Sequence, residues 1–374
     1  MKIVIAVDSF KGSLSAVEAC DVIEKGFLEE EPSLSIVKIP LADGGEGTTE
    51  IIARSCQGEF TACRVMGPLP EMEVTAGYVW IEKTKTAVVE MAAASGITLL
   101  TKKQLNPMLT TTYGTGQLIL EALKRKPEQI LLAVGGSATV DGGIGAAMAM
   151  GWQFLNKSGK SIKLGAEELG QINHIVEPRE NFKPGICKVL CDVTSPLTGP
   201  LGAAHVFGPQ KGADAAMVEV LDRNLRHVAE LVKQELGIEI DTIAGAGAAG
   251  GLAAGAIAFF NAKLVGGIET IAEMVKLTER CTGADWVITG EGCFDCQSLR
   301  GKVVSGVIQC GLQANARIGV IAGNVNLDQV SYQKAGIHDV ASCVKPGIDV
   351  EYAMANAKDI LFQNARDFAK RNFE

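Results

Sequence analysis

Lys2-Ile-Val-Ile-Ala-Val-Asp-Ser-Phe-Lys-Gly12 opens the chain and decides its architecture. The run Lys2–Val7 is β-branched and nearly all apolar, as a strand buried on both faces of a parallel sheet must be. It empties at Asp8 into a short polar loop, and Ser15-Ala-Val-Glu18 then supplies a capping box that starts a helix. Leu14, Val17, Ile23 and Phe27 mark the inner face of that helix, and Pro32 follows its end. A second strand at Ile36–Leu41 runs into Asp43-Gly-Gly-Glu-Gly-Thr48 and a helix to about Ser55. Strand, helix, strand, helix is the opening of a doubly wound α/β sheet.

The rest of the chain bounds what surrounds this unit. At 374 residues, two domains are the natural expectation. From Phe60 to Gly96 the texture changes. Thr61–Met66, Glu73–Glu82 and Thr86–Met91 are expected strands with no helix between them, hence an antiparallel portion and a second domain. A helix Gly114–Lys126, a strand Ile130–Val134 and a helix Ile144–Met150 follow, while 152–184 has no clear period. Further on, Cys187–Cys191 and Ile238–Ile243 are expected strands, with a long amphipathic helix from Ala213 to Leu236 between them. A helix Ile268–Thr278 precedes the strand Ala284–Ile288, and Gln297, Arg300 and Lys302 open the next helix. Ile318–Ala322 is a strand, and a helix from about Ala353 closes the chain.

Composition excludes some functions. The net charge of −8, without basic blocks, gives no nucleic-acid footprint. The uncharged run Ile243–Phe260 is broken by five glycines and reads as a buried turn and helix, not a membrane span. Ten scattered cysteines and the lack of a signal-peptide core at the N-terminus point to free thiols in the cytoplasm. Cys293-Phe-Asp-Cys296 has no second such pair to complete a zinc site.

Five loops share one grammar, in which a strand ends on Gly with Asp, Ser or Lys and a helix follows. They are Asp8–Lys11, Asp43–Gly47, Gly135–Gly143, Asp192–Ser195 and Thr289–Lys302. One such loop is an ordinary turn. Five with acidic residues at strand ends point to anion and metal chemistry, because glycines admit backbone N–H groups, carboxylates hold divalent cations and lysines neutralise phosphate. Lys11, Lys211 and Lys302 all sit beside glycines, yet the Walker pattern is absent around Gly301-Lys302. Gly245-Ala-Gly-Ala-Ala-Gly250 matches the dinucleotide fingerprint, but only a weak strand precedes it. The four histidines show no triad context.

These blocks resemble the bacterial glycerate kinase family: Asp8-Ser-Phe-Lys-Gly-Ser-Leu-Ser-Ala16, Leu41-Ala-Asp-Gly-Gly-Glu-Gly-Thr48, Gly135-Gly-Ser-Ala-Thr139 and Asp141-Gly-Gly143. So do Cys191-Asp-Val-Thr194, Val206-Phe-Gly-Pro-Gln-Lys-Gly-Ala213, Gly245-Ala-Gly-Ala-Ala-Gly-Gly251 and Thr289-Gly-Glu-Gly292 with Asp295, Gln297 and Lys302. The resemblance implies ATP- and Mg²⁺-dependent phosphorylation of D-glycerate, on the 2-hydroxyl with the 3-hydroxyl as alternative. It implies a discontinuous Rossmann-like domain, 1–58 with 285–374, and a second mixed α/β domain, 59–284, with the active site in the cleft between them.

On that basis Asp192, Asp295 and Lys302 are the expected catalytic residues, with Asp192 or Asp295 taking the hydroxyl proton. Asp8, Ser9, Lys11, Gly135, Gly136, Ser137, Lys211 and Arg300 are expected around phosphate and substrate, and Asp43, Glu46 and Glu291 around the metal. No nucleic-acid or membrane partner is expected, and the oligomeric state stays open. The family pattern carries Arg at Cys293, Ser at Cys296, Asn at Val140 and Pro at Val7 and Val304, which this chain lacks. A rival of another class is a binding protein that kept the scaffold without catalysis; a dinucleotide-dependent dehydrogenase is more distant.

Overall fold

The computed structural model describes residues 1–179, 182–299, 301–344 and 349–373. The chain divides into two compact units, Met1–Asp43 with Ile268–Glu374, and Gly44–Gly267.

The first unit is built on a five-stranded, wholly parallel sheet. From one edge to the other its strands are Asp339–Ser342, Arg317–Ala322, Trp286–Thr289, Lys2–Ile5 and Ser35–Lys38. Numbered along this unit, the order is 2-1-3-4-5. That is a doubly wound arrangement, in which ligands bind beyond the carboxyl ends of the strands where the order reverses. Here the reversal falls between Lys2–Ile5 and Trp286–Thr289, paired as Ile3 with Trp286 and Ile5 with Ile288.

The expected capping box is present. Glu18 N–H donates to Ser15 Oγ at 3.2 Å, and Ser15 N–H donates to Glu18 Oε2 at 3.1 Å, starting the helix Ala16–Glu30. That helix lies against the closing helix Ala357–Asn372 closely enough that a Cβ on Gly26 would stand 2.8 Å from the Ala365 Cβ. Phe27, Phe368, Phe373 and Trp286 interlock edge-on beneath it, with Phe27 and Phe373 centroids 4.9 Å apart. Such edge contacts add about 0.5–1.5 kcal/mol each beyond burial.

The second unit carries a six-stranded sheet, ordered Lys263–Val265, Cys187–Leu190, Gln129–Ala133, Thr86–Glu90, Glu73–Ile81, Glu59–Met66. The first four strands are parallel and the last two run antiparallel, so the expected antiparallel portion is one flank of a mixed sheet. The long helix spans Ala215–Leu236, capped by Asp214 Oδ1 on Met217 N–H at 2.8 Å and ended by Gly237 at φ 72°.

Several expected elements differ. Ile238–Ile243 forms no strand, because Thr198 Oγ1 donates to Asp241 Oδ1 and Leu197 N–H to the Asp241 carbonyl, tying the segment to a loop. The dinucleotide-like glycines are a packing device. A Cβ on Gly250 would stand 1.9 Å from the Thr139 carbonyl oxygen, and one on Gly255 would stand 2.4 Å from that of Gly142. The expected helix Ile268–Thr278 is two, Gly267–Met274 and Leu277–Cys281, broken by Lys276 at φ 56°. Gln297 precedes rather than opens the helix, which starts at Val303. Residues without a clear period include a hairpin of Gln153–Asn156 with Ile172–Val176, its register shifted at Leu155 and Asn156. Among the described residues no helix is long and apolar enough to cross a membrane.

Candidate active site

In the first unit the loops beyond Lys2–Ile5 and Trp286–Thr289 are joined by Asp8 N–H donating to the Gly290 carbonyl at 2.9 Å. A cavity of about 460 Å³ opens there, lined at its polar end by Asp8, Ser9, Lys11, Glu291, Asp295 and Lys302. Six expected site residues thus share one wall. Asp8 is only 8 % exposed, and its Oδ1 accepts from Ser9 N–H at 2.6 Å. Burial first, and then the carboxylate of Asp43, push its pKa up to about 7, while Ser9 N–H and Lys11 pull the other way. Burial also raises Glu291, opposed most by the Ser298 hydroxyl. Glu291 Oε1 is buried without a hydrogen-bond partner.

Asp295 is placed by its own turn. Its Oδ1 accepts from Gln297 N–H at 2.7 Å and Ser298 N–H at 3.3 Å, shaping the loop ahead of Lys302. Lys302 N–H donates to Ser305 Oγ at 3.0 Å at the start of the helix Val303–Gln313. Cys293 stands exposed on this rim, accepting from Asn326 Nδ2 at 3.4 Å. Burial and the nearby Asp295 and Glu291 charges hold its thiol above the usual range, so it is no activated nucleophile. Arg300 lies outside the described residues. Val7, Val140 and Val304 are fully buried core residues.

The second unit holds the other expected residues. Its Gly44–Thr48 loop abuts the Gly135 loop, with Gly135 N–H donating to the Gly44 carbonyl at 3.1 Å. A Cβ on Gly135 would stand 2.4 Å from the Gly45 Cα, so only glycine allows this approach. Gly136 has φ 75° and turns the chain toward Ser137. Lys211 is 1 % exposed, and its Nζ donates to Ser137 Oγ at 2.6 Å and to the Thr139 carbonyl at 2.7 Å. Burial lowers its pKa to about 7, against the pull of Asp141. The amino group therefore holds the Gly135–Gly143 loop in shape. Thr139 Oγ1 is buried without a partner. Asp192 Oδ1 accepts from Gly267 N–H at 2.7 Å, and Glu46 is exposed on its loop near Glu90.

Three polar residues carry this unit without having been assigned a role. Asp141 is wholly buried and accepts from the N–H groups of Thr112, Gly143 and Gly145 and from Thr112 Oγ1. Thr112 is thus its main partner, and Thr112 Oγ1 also accepts from Ala146 N–H at 2.9 Å. Glu90 ends a strand and accepts from Gly47 N–H, Thr49 N–H and Thr49 Oγ1, fixing the start of the helix Thr48–Cys56. A carboxylate at a strand end was the available signal for Glu90, but it lacks the glycines that marked the other loops.

A doubly wound sheet whose strand-end loops gather lysines, carboxylates and a cavity at the switch point is the framework of a small-molecule α/β enzyme. Comparison with known proteins makes this specific. The family model described as "Glycerate kinase family" matches residues 3–372, and the chain belongs to the glycerate kinase family. It is 43% identical to the glycerate kinase of Halalkalibacterium halodurans, covering 98% of this chain and 97% of that one. It is 42% identical to the glycerate 2-kinase of Escherichia coli, over 99% of this chain and 97% of the relative. The crystal structure of a putative glycerate kinase 2 from Salmonella typhimurium LT2 superposes with a TM-score of 0.82 at 39% identity, over 99% and 98% of the two chains. The chain is a kinase enzyme, with glycerate and ATP as the substrates its family implies.

Proposed function

We propose that the enzyme transfers the γ-phosphoryl group of ATP to the 2-hydroxyl of D-glycerate, giving 2-phosphoglycerate. The observation that carries this is the 42% identity to a glycerate 2-kinase over nearly the full length of both chains. The chemistry of the loops supports it. Phosphoryl transfer asks for positioning and charge neutralisation more than for a nucleophile. Lys11 and Lys302, on the wall of one cavity, neutralise the phosphates. Ser9 and the Gly292 backbone line the same wall and orient them.

Asp192, oriented by Gly267 N–H, receives the hydroxyl proton. Asp295 fixes the turn before Lys302 and shapes the phosphate loop. In the second unit Gly135, Gly136 and Ser137 present the glycerate-binding edge, held in place by Lys211.

The carboxylates fit Mg²⁺. Asp43 and Glu291 both raise Asp8, so negative charge is concentrated there, and Glu291 Oε1 is a buried oxygen without a partner. Among the described residues no three such side chains form a ready-made metal cluster. Mg²⁺ rarely needs one, since it binds through one or two carboxylates together with water and substrate phosphates. Asp43 and Glu291 would hold it, and bound there it would neutralise charge developing on the transferred phosphoryl group.

Ten free cysteines fit a reducing compartment, and we place the enzyme in the cytoplasm. The test couples product to enolase, which dehydrates 2-phosphoglycerate. Glycerate-dependent ADP release accompanied at once by enolpyruvate absorbance supports the proposal. ADP release without that absorbance, unless a mutase is added, moves the phosphate to the 3-position. Absence of glycerate-dependent ADP release contradicts kinase activity on glycerate altogether.

A further inference from the structure

The cavity of the first unit is amphiphilic. Besides Lys11 and Lys302 its lining includes residues of the last two helices, Val350–Ala355 and Ala357–Asn372. The contributing side chains, Val350, Ala353, Met354, Ala357, Ile360 and Leu361, carry no N–H or O–H group. Val350 and Met354 are 56% and 42% exposed. Met354 also packs on the phosphate-side loop, since a Cβ on Gly12 would stand 2.8 Å from its Cε. The apolar wall and the lysine-bearing loop are therefore two sides of one space.

D-glycerate has no apolar part to cover such a wall, and it fills only a fraction of about 460 Å³. A ligand with a flat apolar end and a polyanionic end matches both sides. The cavity lies at the strand-order reversal of a doubly wound sheet and falls within the range of about 300–1,000 Å³ typical of small-molecule sites.

We infer that the wall of Val350, Ala353, Met354, Ala357, Ile360 and Leu361 seats the nucleobase of ATP, with the phosphates running toward Lys11 and Lys302. This rests on the kinase reading for the identity of the ligand, but assigns the base to one face of one unit. Nucleotide then binds the first unit's cavity without D-glycerate.

The test uses the full chain and ADP as probe. Met354→Glu places a charge on the wall at an exposed position, and Ala357→Phe fills the space. Each should raise the ADP dissociation constant and the ATP KM by about ten-fold or more, with the D-glycerate KM within about two-fold of wild type. Met354→Glu carries the test if Ala357→Phe does not fold. Photolabelling of the wild-type chain with an azido-adenine nucleotide should mark the peptide from Val350 to Leu361.

Normal turnover on D-glycerate with unchanged ADP affinity in the folded variants overturns the assignment and leaves the kinase proposal standing. Label confined to Gly44–Gly267 also overturns it. ADP affinity lost in the variants of a chain that never phosphorylates D-glycerate upholds the nucleobase wall and overturns the kinase proposal instead.

Discussion

Replacing Asp8 by Asn should make the first unit more stable while weakening the enzyme. Asp8 is buried beside the charges of Asp43 and Glu291, and its pKa rises from 3.8 to about 7. The folded state thus binds a proton more tightly than the unfolded chain does. A carboxyl of this kind contributes full stability below the unfolded pKa and loses it as pH rises through the folded pKa. At about 1.4 kcal/mol per pKa unit, the shift amounts to about 4 kcal/mol of destabilisation at pH 7.5, with roughly 2 kcal/mol of it already present at pH 5.

Asn keeps the acceptor for Ser9 N–H and removes the charge. The stability gain from Asp8→Asn should therefore grow by about 2–3 kcal/mol between pH 5 and pH 7.5. The assay is urea unfolding of the full chain with metal chelated, followed by hydrogen exchange in peptides of the sheet strands Lys2–Ile5 and Trp286–Thr289. Resolving the unit this way matters because two units need not unfold together. A gain equal at both pH values, or a variant less stable than wild type at pH 7.5, would refute the claim that Asp8 is a strained buried carboxylate. Turnover should fall despite the gain, the usual trade between stability and a charged site.

Asp192→Asn should lower kcat by about 10²–10⁴-fold with the fold intact, while Asp295→Asn, whose Oδ1 shapes a turn, should act mainly on the ATP KM; steady-state kinetics separates them. Gly250→Ala should cost more than about 3 kcal/mol, because a Cβ would lie 1.9 Å from the Thr139 oxygen at a residue with φ 65°, and a urea melt reads the loss. Glu90→Ala strips the acceptor from Gly47 and Thr49 and should destabilise the second unit by about 1–2 kcal/mol, measured in the same way.

What could be read from residues alone was local chemistry. Lys2–Val7 announced a buried parallel strand, and Ser15 with Glu18 announced a helix start, because both signals lie within a few residues of their effect. Asp8, Lys11, Glu291, Asp295 and Lys302, which line the first unit's cavity, are legible as candidates because glycines at strand ends flag loops that admit ligands. Long-range decisions were hidden. The dinucleotide-like glycines looked like a binding loop, but they accommodate the carbonyls of Thr139 and Gly142, contacts set by tertiary packing. Ile238–Ile243 has strand-forming residues, yet Asp241 is drawn into a hydrogen bond with Thr198.

Lys211 stood out as a lysine among glycines, but its burial against Ser137 and Thr139 shows only once the loops meet. The apolar wall from Val350 to Leu361 was illegible for a related reason. Its residues have the pattern of any amphipathic helix, and nothing local distinguishes a face that lines a cavity from one that fills a core.

The most direct test of the central claim is the proton-coupled phosphorus NMR spectrum of the product formed from D-glycerate and ATP with Mg²⁺. The account predicts a new phosphomonoester doublet, from phosphorus coupled to the single proton on carbon 2. A triplet, from phosphorus on the carbon 3 methylene, would contradict the assigned position, and a spectrum with no new phosphomonoester would contradict phosphoryl transfer to glycerate.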